Sequence, residues 1–212
     1  MENTHEIRAV IFDLGRVIVD VDVGKLASFV SATSSQTDID RVIMDVLGDT
    51  LMRQFNTGRI GPEDFYRGIV RRFGLQLEFD EFATLWCGVF SPIAGMPELI
   101  RRLDGRFNLG LLSDTDPLHW NYLRKTNPIL AVFKHPTLSF QVGLTKPDPA
   151  IFLAAARNAE TPPEACLYID DLPANAAGAA AVGMNAIVFK NLAALRGQLA
   201  EKGLIDEPSD GL

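Results

Sequence analysis

The chain has 212 residues, of which 20 are Lys or Arg and 27 are Asp or Glu, giving a formal charge of −7 at pH 7. With 47% hydrophobic and 22% charged residues, its make-up is that of a folded globular protein and not of a disordered one. The acidic balance argues against a general nucleic-acid binder, whose backbone affinity needs clustered Lys and Arg, but it leaves room for a small anion held by local cations or a metal.

Residues 1–8 carry no apolar signal-peptide core. The first apolar run, Ala9-Val10-Ile11-Phe12, stops at Asp13 and predicts a buried strand. Residues 20–92 then break into helical spacing. Ile39, Val42, Ile43, Val46, Leu47 and Leu51 recur every three or four positions, as do Phe65, Ile69, Val70 and Phe73. The turn Gly58 to Pro62 leads into the second set, and Phe55, Phe65, Phe73 and Trp86 are the expected core of this part. No strand is expected within it.

From residue 93 the pattern alternates. Strands are expected over Leu109–Leu112, around Thr137–Phe140, over Cys166–Ile169 and over Ala186–Phe189. Helices are expected over Pro97–Leu103, Pro117–Lys125, Pro149–Asn158 and Pro173–Val182, each opened by a proline, whose missing N–H has no helical partner in the first turn. The expected fold is α/β, a doubly wound parallel sheet formed by 1–19 and 93–212 with an all-helical cap, 20–92, inserted after the first strand. The uncharged stretch Leu172–Phe189 contains Pro173, Gly178 and Gly183, so it reads as helix, turn and strand, not as a membrane span. Cys87 and Cys166 have no metal-type spacing and read as core residues, which suits a reducing cytoplasm.

In an open parallel sheet, ligands bind beyond the carboxyl ends of the strands. The residues there are Asp13, Ser113 and the pair Asp170-Asp171, with Lys146 in the loop after the strand near Thr137. Carboxylate oxygens are hard ligands that suit Mg²⁺, and a lysine beside them neutralises phosphate charge. The constellation suits phosphoryl transfer.

Four segments carry a resemblance. They are Phe12-Asp13-Leu14-Gly15-Arg16-Val17-Ile18-Val19-Asp20, Leu111-Leu112-Ser113-Asp114-Thr115, Gly143-Leu144-Thr145-Lys146-Pro147-Asp148 and Tyr168-Ile169-Asp170-Asp171-Leu172-Pro173-Ala174-Asn175. In that order they resemble the motifs of the haloacid dehalogenase-like (HAD) hydrolases. The Asp-Leu-Gly start and the cap pattern look most similar to sugar-phosphate phosphatases typified by bacterial α-glucose-1-phosphatase. The resemblance implies that Asp13 is the nucleophile and a Mg²⁺ ligand, with the Gly15 carbonyl a second ligand. It implies that Asp171 is the far-side ligand and that Asp170 stands in or just behind the coordination shell. Ser113 would bind a phosphoryl oxygen, Lys146 would bridge phosphate and nucleophile, and Asn175 would orient the acidic loop.

Two positions depart from the family pattern. Most family phosphatases carry an acid–base Asp two residues after the nucleophile, where this chain has Gly15. Either the leaving group needs little protonation, or His119, Asp20 or a metal-bound water substitutes, or catalysis is weak. Asp114 stands where relatives often have Asn, and it would turn toward Arg16 or Arg124 or bind substrate hydroxyls. Arg16 is either a surface residue or an added anion clamp.

The resemblance implies a Mg²⁺-dependent phosphatase for a small phosphorylated metabolite, a sugar phosphate or similar, working through an aspartyl-phosphate. Two alternatives stand beside it. A 2-haloacid dehalogenase would not need the acidic pair Asp170-Asp171. A non-catalytic binding module would account for Gly15 and Asp114 as decay. The expected partners are one metal ion and one small phosphorylated molecule, with no nucleic acid or membrane, in a monomer or small homo-oligomer.

Overall fold

The computed structural model describes residues 6–22, 24–25 and 50–206. The helical pattern from Ile39 to Leu47 lies outside the described residues.

The first strand, β1 (Ala9–Phe12), is buried along its whole length. It is flanked by β4 (Asn108–Ser113) and β6 (Cys166–Asp170), both parallel to it. The outer strands β5 (Thr137–Leu138) and β7 (Asn185–Val188) complete a parallel sheet of order β5-β4-β1-β6-β7.

Side chains alternate across a strand, so the two faces of the sheet carry different residues. Val10, Phe12, Leu111, Leu167 and Ile169 pack on one face. They meet α4 (Met96–Leu103), α5 (Pro117–Thr126) and α9 (Leu192–Glu201) through Leu99, Leu123 and Leu199. Ala9, Ile11, Leu112, Cys166 and Tyr168 pack on the other. There they meet α7 (Pro149–Asn158) and α8 (Pro173–Ala181) through Ile151, Phe152 and Ala179. This is the doubly wound arrangement that the sequence pattern predicts.

The segment between β1 and α4 forms its own apolar cluster. The helices α1 (Thr50–Asn56), α2 (Pro62–Phe73) and α3 (Phe79–Cys87) bury Phe55, Phe65, Phe73, Phe82 and Trp86 together. Phe55 and Phe65 stack with ring centroids 4.3 Å apart. Contrary to the expectation of no strand, this segment is entered and left through a short antiparallel pair, β2 (Val19–Val21) and β3 (Phe90–Pro92). Three-residue strands fall below the length at which alternation is readable.

Two more differences concern the sheet domain. The expected strand around Thr137–Phe140 is cut to two residues because α6 (Ser139–Val142) starts at once. The helix α9 is not foretold by any proline; its start is set by Asn191, whose side chain accepts a hydrogen bond from the Ala194 N–H at 2.9 Å. Among the described residues, no helix is long and apolar enough to cross a membrane.

Candidate active site

The register of the sheet places the site. Phe12 is level with Leu111 on one side and Ile169 on the other. One residue further, Asp13 therefore comes level with Asp170 across a strand spacing of about 4.8 Å, and Ser113 ends β4 on the other side. Asp13, Asp170 and Asp171 have carboxylate oxygens all within 4.8 Å of one another.

Lys146 ties this cluster together. Its side chain is buried, and its ammonium lies 2.8 Å from Asp13 Oδ1 and 2.8 Å from Asp170 Oδ2. It also sits over the Tyr168 ring, 5.9 Å from the centroid. The loop that carries it is held by its own backbone: the Lys146 N–H donates to both carboxylate oxygens of Asp114 at 3.1 Å. Asp114 thus turns neither to Arg16 nor to Arg124, whose guanidinium lies over Trp120 instead.

The three carboxylates differ in what holds them. Asp170 is fully buried and its oxygens are saturated. They accept from Lys146 Nζ, from the Leu172 N–H at 2.9 Å, from Asn175 Nδ2 at 3.0 and 3.1 Å, and from the Tyr168 hydroxyl. Asp171 is more open, and its ion-pair partner among the described residues is Arg16, at 3.9 Å. Arg16 is itself more than half exposed and holds a left-handed backbone with φ 58°, a conformation uncommon for residues other than glycine. The Ser113 side chain is buried at the end of β4.

The electrostatics follow from burial and charge. Burial raises the Asp13 carboxyl, Lys146 pulls it down and Asp170 pushes it up, leaving it at about 6. For Asp170, burial is outweighed by Lys146, and the carboxyl lies below its ordinary value. Burial and the charge of Asp170 raise Asp171 against the pull of Arg16. Burial alone would weaken Lys146 as a base, but Asp13 and Asp170 hold its ammonium above the usual lysine range.

Three carboxylates face one buried ammonium, so the site keeps a net negative charge that a divalent cation would balance. The donor set is all oxygen, which suits Mg²⁺.

A cavity of about 190 Å³ opens beside the cluster, between the sheet domain and the helical segment. On the sheet side it meets Gly15, Ser113, Asp114 and Thr115; on the other it meets Val21, Met52, Trp86, Val89 and Phe90. A wider groove of about 1190 Å³, lined by Arg8, Asn108, His135 and Asn185 among others, lies at the amino ends of the strands and touches none of the motif residues.

His119 also faces the cavity, but both ring nitrogens are engaged. Nδ1 lies 2.8 Å from Asp116 Oδ2, and Nε2 lies 3.0 Å from the Trp86 carbonyl. Asp20 is exposed on β2, and its carboxylate accepts from the neighbouring Val21 N–H at 2.9 Å. With both nitrogens held, His119 is not poised to replace a proton donor at Gly15.

Two features escaped sequence reasoning. Tyr168 supports Asp170, and the signal was present: two residues apart on a strand, both point to one face. The buried Asp116, which joins Trp86 and His119, had no signal beyond a helix cap.

A profile of haloacid dehalogenase-like hydrolases matches residues 7–183. The chain is 26% identical over 183 residues to a D-ribitol-5-phosphate phosphatase from Bacteroides thetaiotaomicron, covering 80% of this chain and 85% of that one. It is 25% identical over 181 residues to a sesquiterpene phosphatase from Aspergillus oryzae, covering 84% and 87%. A Bacteroides thetaiotaomicron HAD-family enzyme, solved with magnesium and inorganic phosphate, shares the fold with a TM-score of 0.79 at 24% identity, covering 87% of this chain and 95% of that one. With its motifs gathered at the carboxyl edge of a parallel sheet, the chain belongs to the haloacid dehalogenase-like hydrolases, and the two relatives described above are phosphatases.

Proposed function

We propose that the protein is a Mg²⁺-dependent phosphatase that hydrolyses a small phosphorylated metabolite through an aspartyl-phosphate on Asp13. The observation that carries this reading is the position of Lys146 Nζ, 2.8 Å from both Asp13 and Asp170, with Asp171 in the same cluster. The magnesium and phosphate bound by a protein of the same fold support it.

In this reading Asp13, Asp171 and the Gly15 carbonyl would hold the ion, with Asp170 bracing Lys146 behind them. When bound, Mg²⁺ shields the incoming phosphate from the carboxylates and stabilises charge on its oxygens. An Asp13 carboxylate oxygen forms a bond to phosphorus. The bond from phosphorus to the leaving oxygen breaks, and its electron pair stays on that oxygen, which takes a proton from water. A second water then cleaves the aspartyl-phosphate, releasing phosphate and restoring Asp13, and the proton it gives up neutralises the hydroxide left by the first. Lys146 holds Asp13 as the carboxylate and meets the phosphoryl charge; the Ser113 hydroxyl binds a phosphoryl oxygen. Arg16, exposed beside Asp171, is the candidate for an outer anion contact.

The expected result is Mg²⁺-dependent phosphate release across a panel of sugar, acyl and nucleotide phosphates, abolished by Asp13→Asn and by chelation. Chloride release from a 2-haloacid that survives chelation would favour the dehalogenase reading instead. The reading places the protein in a reducing cytoplasm, as a monomer or small homo-oligomer; the free and buried Cys87 and Cys166 support the reducing compartment.

A further inference from the structure

Resting on the phosphatase reading, we propose that the leaving group is a compact hydrocarbon group, aliphatic or aromatic, and not a polyol. It would seat in the cavity between Gly15 and Ser113 on one side and Val21, Met52, Val89 and Phe90 on the other. Three observations converge on this.

The first is the wall chemistry. Val21, Met52, Val89 and Phe90 present only carbon and sulfur from their side chains, and no Lys or Arg lines the cavity among the described residues. Several of the polar groups that do border it already have protein partners. His119 uses both nitrogens on Asp116 and Trp86. The Thr115 N–H donates to Ser139 Oγ at 2.9 Å, and the Thr115 carbonyl accepts from the same hydroxyl at 3.0 Å. Asp114 has its carboxylate on the Lys146 N–H. Ser113 is assigned to the phosphoryl group. A polyol chain in this space would bury more hydroxyls than Ser113, Asp114 and Thr115 can pair, which is unfavourable.

The second is size. A cavity of about 190 Å³ is somewhat larger than the ~150 Å³ apolar cavity that accepts a benzene ring. It therefore suits a group of about five to seven carbons.

The third is Gly15. A Cβ there would lie 3.5 Å from Val21 Cγ2, an ordinary contact, so a side chain at this position would stand against the cavity wall. Glycine adds no side chain to this side of the cavity, which leaves the space to the leaving group.

In the reaction, the bond from phosphorus to the alcohol or phenol oxygen breaks, that oxygen keeps the electron pair and takes a proton from water, and the hydrocarbon alcohol is released. The test uses the full chain with Mg²⁺ and compares phosphate release from 3-methylbutyl phosphate and from ribitol 5-phosphate. Both are primary alkyl esters, so intrinsic reactivity does not bias the comparison. The expected kcat/KM favours 3-methylbutyl phosphate by about tenfold or more, since a single buried methylene is worth about tenfold. Phe90→Ser is expected to narrow that ratio. Equal turnover, or preference for ribitol 5-phosphate, overturns the proposal while leaving the phosphatase reading intact. No Asp13-dependent phosphate release from either ester or from acetyl phosphate overturns the phosphatase reading itself.

Discussion

The Asp116 carboxylate, wholly buried at the start of α5, accepts a hydrogen bond from Trp86 Nε1 on α3 at 3.2 Å. One end of this bond belongs to the sheet domain and the other to the helical segment. The same carboxylate caps α5 through the His119 N–H at 2.9 Å and pairs with His119 Nδ1 at 2.8 Å. The His119 ring in turn stacks on Trp86, with centroids 5.0 Å apart and planes 4° from parallel. One buried acid thus sets a helix start, an imidazole and an indole, and the last two form one wall of the cavity.

Asp116→Ala is expected to destabilise the protein by about 3 kcal/mol, because it leaves buried donors without an acceptor. Burial alone raises this carboxyl, but His119 and Trp86 bring it below its ordinary value of 3.8. A depressed carboxyl stabilises the fold above that value and loses the contribution as pH falls from 3.8 toward the folded-state value. Urea unfolding at pH 7 and at pH 3 checks both statements: the difference between wild type and variant shrinks at the lower pH.

Lys146→Met removes the one ammonium shared by Asp13 and Asp170. Phosphate release is expected to fall about a thousandfold, at the upper end of what losing one preorganised donor costs. The Asp13 carboxyl is expected to titrate above about 6 in the metal-free variant, since the lysine's pull is gone while burial and Asp170 remain. Carbon-detected NMR titration of labelled Asp reads this directly.

Divalent-ion affinity is expected to weaken as pH falls through about 6, the value at which the buried Asp13 takes up a proton in the metal-free protein. A ligand must be deprotonated to bind, so affinity at pH 5 is about tenfold lower than at pH 7.5. Calorimetric titration with Mg²⁺ at the two pH values, alone and after treatment with chelator, tests this.

Tyr168→Phe removes one of the donors that saturate Asp170 while leaving Lys146, Asn175 and the Leu172 N–H in place. The expected cost is about 1 kcal/mol in stability and about tenfold in activity, typical for loss of a group that orients the residues around a metal. Thermal unfolding and steady-state assays measure the two separately.

Much of the sheet was legible because it is local. Ala9–Phe12 and Pro149–Asn158 were delimited in the sequence to the residue, one by an apolar run closed by a charge, the other by a helix-opening proline. The strands β2 and β3 were not, since at three residues each they exist only by pairing with one another across a long insertion. The helix α9 was missed although Leu192, Leu195 and Leu199 recur at helical spacing, because its opening signal is Asn191 and not a proline. The motif residues could be listed from strand ends, yet their distinct surroundings could not.

What the sequence determined by itself is order: which apolar runs end in Asp13, Ser113 and Asp170, that Asp171 follows at once, and that Lys146 lies in the loop after the strand near Thr137. Backbone propensity and side-chain alternation act over short spans, so they are written in the chain. The tertiary structure decided which of these groups remain available. Parallel register brings Asp13 level with Asp170, saturation of Asp170 leaves Asp171 the more open acid, and the Asp116 carboxylate and the Trp86 carbonyl close both imidazole nitrogens of His119. Those outcomes depend on partners drawn from distant parts of the chain, and such partners meet only when the whole fold is closed.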